Sequence, residues 1–85
     1  CLRIAGMAAA FNTPISNGGG APHYNMHLQA GLQHGTAVEW QFNSATACQV
    51  IFPDAPTHRD GAIAMPEKPG FGLVPDHDMV KSLAV

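Results

Sequence analysis

Three observations in the 85 residues predict an α/β fold with parallel strands. Apolar positions at helical spacing alternate with short strand-like runs, in the order helix, strand, loop, helix, strand, and an irregular tail follows. A glycine run, Asn17-Gly18-Gly19-Gly20, sits where the first strand hands over to the second helix. A second strand, Thr36 to Phe42, sets Val38, Trp40 and Phe42 against Glu39 and Gln41 in strict alternation.

The elements follow in order. Leu2 to Phe11 reads as a helix: Leu2, Ile4, Met7, Ala8 and Phe11 fall close to helical spacing, and three consecutive alanines favour it. Asn12 stops that helix and Pro14 forbids its continuation. Thr13 to Ser16 reads as a short buried strand. Pro22 suits the first turn of the next helix, where its missing N–H costs nothing. That helix is predicted to run to about Gln33 and to end at His34-Gly35. After the Thr36–Phe42 strand, the small polar residues from Asn43 to Ala47 read as loop and Cys48 to Phe52 as a strand. Pro53 to His58 reads as irregular. Arg59-Asp60-Gly61 is a turn signal with a strand, Ala62 to Met65, after it. Pro66 to Gly70 is a further turn. Asp76 is an N-cap for a last helix from His77 to about Leu83.

Composition narrows the function classes. With 46% hydrophobic residues, 12% charged residues and a net charge of −2, the chain is neither disordered nor basic enough to track nucleic acid or an acidic membrane. Its four basic residues, Arg3, Arg59, Lys68 and Lys81, are scattered. No apolar stretch is long enough to span a bilayer. Two cysteines, Cys1 and Cys48, are too few for a secreted disulfide scaffold, so free thiols in a reducing, cytoplasmic setting are expected. Two parallel strands cannot bury both faces of a sheet and would expose unpaired edges. The chain also opens on Cys1 and enters helix-forming sequence at once. A segment of a longer polypeptide is therefore expected.

Candidate site residues cluster at two places. The glycine run lies at a strand's C-terminal end just before a helix, the edge at which parallel α/β folds bind ligands. Asn17, Gly18 and Gly19 are thus candidate substrate-binding residues, though the spacing matches neither phosphate-loop nor dinucleotide fingerprints. A plain connecting loop is the alternative. Glu39 interrupts an otherwise apolar strand and is placed either at its C-terminal mouth or paired in the interior; a solvent-facing position on the alternating strand is the alternative. His23, His27 and His34 fall on one helical stripe. His27 and His34 read as packing or surface histidines. His23 opens the helix at the ligand-facing edge, a position that suits a neutral base. A metal site on the stripe, or at Asp76-His77-Asp78, is the less favoured reading.

At this point the residues resemble the C-terminal end of the mandelate racemase/muconate lactonizing enzyme family of the enolase superfamily. Arg3 to Phe11 resembles the helix before the seventh barrel strand, and Asn12-Thr13-Pro14-Ile15-Ser16 that strand's entry. Pro22-His23 resembles the step that carries the family's base. His27-Leu28-Gln29-Ala30 resembles the following helix, and Val38-Glu39-Trp40 the eighth strand with its glutamate. Asp60 to Pro66 and Pro69-Gly70-Phe71-Gly72-Leu73 resemble the family's tail. The resemblance covers nearly the whole chain.

The resemblance implies part of a (β/α)8 barrel in residues 1–43. Residues 44–85 would be a tail with short strands and a final helix that returns to the capping domain. It implies a parent enzyme that abstracts the proton α to a carboxylate with Mg²⁺, as a racemase or an acid-sugar dehydratase. The substrate would be a small carboxylate such as an acid sugar or 2-hydroxy acid, and the parent a homo-oligomer. His23 would be the general base or acid and Glu39 would hydrogen-bond the substrate carboxylate. Counting back from His27-Leu28 instead puts Asn17 or a glycine at the catalytic position, with His23 a substrate contact or a helix residue. The family's metal-binding carboxylates would lie upstream, leaving the fragment inactive alone and without metal ligands. A stand-alone anion-binding module, using the glycine loop and the helix N-terminus, is the alternative function.

Overall fold

The computed structural model describes all 85 residues and contains four helices and one small hairpin. Helix α1 spans Leu2–Ala10 and ends as its sequence dictates. Asn12 takes a left-handed conformation at φ 50, its N–H donates to Ala9 O, and the Thr13 N–H donates to Ala8 O. These two bonds make a Schellman stop.

The chain then passes through an isolated parallel bridge between Ile15 and Gly35. The Ile15 N–H donates to His34 O at 2.9 Å and the Thr36 N–H to Ile15 O at 3.1 Å. Parallel pairing is thus as expected, but the strand predicted for Thr36–Phe42 forms no ladder beyond this bridge. A strand's N–H and C=O groups need partners on both flanks, and the chain supplies one, at one end.

Helix α2 spans Pro22–Ala30, with Pro22 at its first turn. It stops at Gly31 rather than reaching Gln33 and the expected His34-Gly35 cap, which removes His34 from the helical stripe. Helix α3, Phe42–Ile51, corrects two expectations. The predicted loop Asn43–Ala47 and strand Cys48–Phe52 form one continuous helix. Asn43, Ser44 and Thr46 look loop-like, but no glycine or proline interrupts the run between Gly35 and Pro53. Ala45 and Cys48, three apart, supply the buried face.

Strands β1 (His58–Arg59) and β2 (Ala62–Ile63) pair antiparallel. Asp60 (φ 51) and Gly61 (φ 77) are the two central residues of the connection. Left-handed values at both positions are those of the primed turn that matches strand twist. The strand predicted over Ala62–Met65 is therefore shorter than expected. Helix α4, His77–Leu83, is capped as expected, the Asp76 carboxylate accepting from the N–H groups of Asp78 and Met79 at 3.0 Å each.

The glycine-rich tail has a physical reason for its spacing. Gly70 and Gly72 both lie at φ 67, and a Cβ on Gly72 would fall 2.5 Å from Pro66. This turn seats Phe71, whose ring meets Tyr24 edge-on at 5.4 Å and His27 at 5.2 Å. The Phe71 carbonyl accepts from His27 Nε2 at 2.9 Å. The tail is thus fastened to α2.

The interior is thin. Nine residues are buried, and the apolar members of that set are small apart from Met26. The face of α1 stays open, with Leu2 72% and Phe11 81% exposed. The radius of gyration is 14.6 Å, whereas a compact domain of this length would have about 12 Å. No helix is long and apolar enough to cross a membrane.

Candidate functional site

The Ile15–Gly35 bridge sets two extended segments side by side, and their C-terminal ends meet at the glycine loop. Glu39 lies four residues past Gly35, exposed, and its Oε2 accepts a hydrogen bond from the Gly19 N–H. The carboxylate is thus exposed at the loop and not paired in the interior. No other hydrogen bond or ion pair engages that carboxylate.

The loop is held rather than slack. Gly19 and Gly20 take φ 72 and φ 76, left-handed values that glycine adopts without a Cβ penalty. The Gly19 carbonyl accepts from Asn25 Nδ2 at 3.0 Å and from Asn17 Nδ2 at 3.4 Å. Gly19 therefore offers its N–H to Glu39 and its carbonyl to two asparagines. Gly18 faces open space. Asn17 Oδ1 is buried without a partner.

One turn beyond Asn25 on α2, the buried Gln29 side chain continues the same fastening. With its amide oriented to satisfy both groups, Nε2 donates to Ile15 O at 3.1 Å and Oε1 accepts from the Asn17 N–H at 3.0 Å. A side-chain amide here stands in for a neighbouring strand's peptide. Gly35 makes room for it, because a Cβ there would overlap the Gln29 carbonyl oxygen and lie 3.0 Å from its side-chain amide. Asn25 and Gln29 were missed at the sequence level. Their signal was a polar i, i+4 pair on the helix that leaves the glycine loop.

The histidines go elsewhere. His23 is 0% exposed, its Nε2 3.0 Å from Pro56 O. A carbonyl only accepts, so Nε2 carries the proton, and Nδ1 is left buried without a partner. The His23 ring meets Trp40 edge-on at 5.3 Å, and Trp40 meets His58 at 5.0 Å. His23 is thus closed off by the chain's own Trp40 and Pro56, away from the glycine loop. His27 is tied to Phe71, and His34 lies beyond the helix. The stripe does not converge on a metal. No three His, Cys, Asp or Glu side chains come together in the chain.

Two cavities flank these groups. The larger, about 690 Å³, is mainly apolar and lined by residues including Met26, Val38, Trp40, Phe42 and Ile63; neither Glu39 nor the glycine loop borders it. The smaller, about 270 Å³, reaches the strand end and is lined by Ile15, Ser16, Asn17, Gly18, Asn25 and Gln29 among others. The smaller cavity has the polar groups a small ligand needs for orientation. Both cysteines are free thiols, Cys1 exposed and Cys48 buried.

Curated protein sequences give no match to the chain. Among solved structures, it is similar to an enolase from alpha pretobacterium bal199, crystallised with bound Mg. The two share 31% identity with a TM-score of 0.77; the match covers 95% of this chain and 21% of that one. The chain thus spans about a fifth of the enolase's length. The sequence profile of the family described as enolase C-terminal domain-like, the C-terminal domain of the mandelate racemase/muconate lactonizing enzymes, matches residues 1–79. With that match over almost its whole length, and with the mixed fold of helices and one small sheet that goes with it, the chain belongs to the enolase C-terminal domain-like family.

Proposed function

We propose that the chain is the last part of the (β/α)8 barrel, with its tail, of a Mg²⁺-dependent cytoplasmic enzyme that removes the proton α to a carboxylate. Racemisation returns the proton on the opposite face, and dehydration expels a β-hydroxyl instead. The substrate is a small carboxylate of the acid-sugar or 2-hydroxy-acid class, and the parent enzyme is a homo-oligomer.

The observation that carries this reading is the Glu39 carboxylate fastened to the Gly19 N–H where two parallel segments end. That edge is the ligand-binding edge of a parallel barrel. The large open apolar face of α1 and the thin interior further support burial of this segment within a larger protein.

Mg²⁺, when bound, supplies positive charge against which negative charge on the substrate carboxylate is stabilised. Its ligands lie outside this chain in this reading. The residues here orient. Glu39, held by the Gly19 N–H at one oxygen, presents its second oxygen to the substrate carboxylate. Asn17 and Gly18 line the smaller cavity, which Glu39 itself does not border. The base is a Lys or His of the parent. His23 is fully buried and bonded to the Pro56 carbonyl, so we assign it to packing under Trp40 and the tail, and place the loop residues Asn17 to Gly19 at the strand-end position. The anion-module reading has less support, because the loop amide already holds the chain's own carboxylate.

The test is Glu39→Gln in the complete enzyme, followed by α-proton exchange with solvent deuterium on candidate carboxylates. Turnover is expected to fall by about tenfold or more with a smaller change in KM, as for a group that acts mainly in the transition state. Equal turnover in wild type and variant would remove Glu39 from the reaction.

A further inference from the structure

We propose that Asn25, supported by Gln29 one turn along α2, is a positioning residue that anchors Gly19 by its carbonyl and thereby holds the N–H of the same residue, on the preceding peptide, against Glu39. The two asparagine and glutamine side chains share one face of α2 and take three backbone groups of the loop between them. Asn25 binds Gly19 O, and Gln29 binds Ile15 O and the Asn17 N–H. They leave little freedom for the segment between residues 15 and 19.

The geometry gives Asn25 the decisive place. A peptide with left-handed glycines on either side can rotate about its flanking bonds at little cost. A donor on the Gly19 carbonyl removes that freedom and anchors Gly19 itself, so the preceding Gly18–Gly19 peptide, which carries the Gly19 N–H, hangs from a fixed point as it meets Glu39. Asn25 Nδ2 is also within 3.3 Å of the position a Gly20 Cβ would take, so helix and loop are in direct contact there. Because the Gly19 N–H occupies one oxygen of Glu39, Asn25 acts on the carboxylate through the loop. Both Asn25 and Asn17 also line the smaller cavity. The kinetic consequence rests on the function proposed above, while the clasp does not.

The experiment is amide hydrogen exchange at Gly19, resolved by fragmentation of the loop peptide, in the complete enzyme and its N25L, N25D and E39Q variants, with turnover measured alongside. N25L keeps the side chain's size and removes the donor. Gly19 exchange is expected to rise about five- to tenfold, the factor of one ordinary hydrogen bond, and kcat to fall more than KM changes. N25D covers the case in which N25L fails to fold. It is expected to lose protection at neutral pH, where its carboxylate has no hydrogen to donate to the Gly19 carbonyl. Unchanged Gly19 exchange in the variants would overturn the proposal. Faster exchange with unchanged turnover in both N25L and E39Q would uphold the clasp and overturn the role of Glu39 instead.

Discussion

Gly35 is the position at which one added methyl group should disturb both fold and site. It carries one end of the Ile15–Gly35 bridge, and a Cβ there would overlap the Gln29 main-chain carbonyl and touch its side-chain amide. The obstacle is helix backbone at the last turn of α2, so a rotamer change cannot relieve it. The extended segment must move off the helix by on the order of 1 Å to restore ordinary contact distances. Overpacking of this kind costs about 1–3 kcal/mol. Glu39 follows four residues later on the same segment, and its bond to Gly19 sits at the far end of that displacement. Misplacement of an active-site group by such a distance can lower turnover on the order of 100-fold. Urea unfolding and steady-state kinetics of the Gly35→Ala variant of the complete enzyme measure both effects. A lower unfolding midpoint together with a fall in kcat is expected. An unchanged midpoint with unchanged kcat would refute the close approach of the segment to α2.

Other expectations follow from the same geometry. Gly72→Ala must place a Cβ 2.5 Å from Pro66 at φ 67; a left-handed alanine costs about 1–2 kcal/mol before the clash is counted. Limited proteolysis should cut the released tail faster, and an unchanged cleavage rate would contradict the role of that turn. Thiol reagents should label exposed Cys1 at once and buried Cys48 slowly in the folded state, with equal rates for the two pointing to an open α3. Burial pushes the Cys48 thiol up, so its contribution to stability is full below the unfolded thiol pKa of about 8.5. It is lost as the pH rises through the higher folded value. Cys48→Ser titrated alongside should show a shallower loss at alkaline pH. His23→Asn, which leaves the Pro56 carbonyl without its buried donor, should lower the unfolding midpoint while α-proton exchange per folded enzyme persists. Abolished exchange in a stable variant would restore His23 as the base.

What was legible in the sequence had local causes. Asn12 and Pro14 stop α1, Pro22 opens α2, Asp60-Gly61 turns the hairpin and Asp76 caps α4, each through backbone chemistry confined to a few residues. The glycine loop and Glu39 were legible for a similar reason, since a glycine run at a strand end and a carboxylate in an apolar strand are both locally anomalous. The misreadings had non-local causes. Asn43 to Phe52 carries strand-like and loop-like residues whose helical period rests on small Ala45 and Cys48, in a helix that packs against the sequence-distant α2 and α4. The Thr36–Phe42 strand has the right alternation, but its ladder needs partners the chain does not hold. His23 is placed by sequence at the opening of a helix beside the loop, and its bond to Pro56, thirty-three residues away, is visible only in the structure. Asn25 and Gln29 are ordinary helix residues until the loop they hold is in view.

The central claim is that these residues complete a barrel whose metal ligands and remaining strands lie in the same polypeptide. Reading the coding sequence directly upstream of the Cys1 codon tests it most directly. The account predicts an open frame that continues upstream and supplies three carboxylates on successive strands, with a lysine-bearing strand before them. A start codon or an export signal immediately before Cys1 would contradict it.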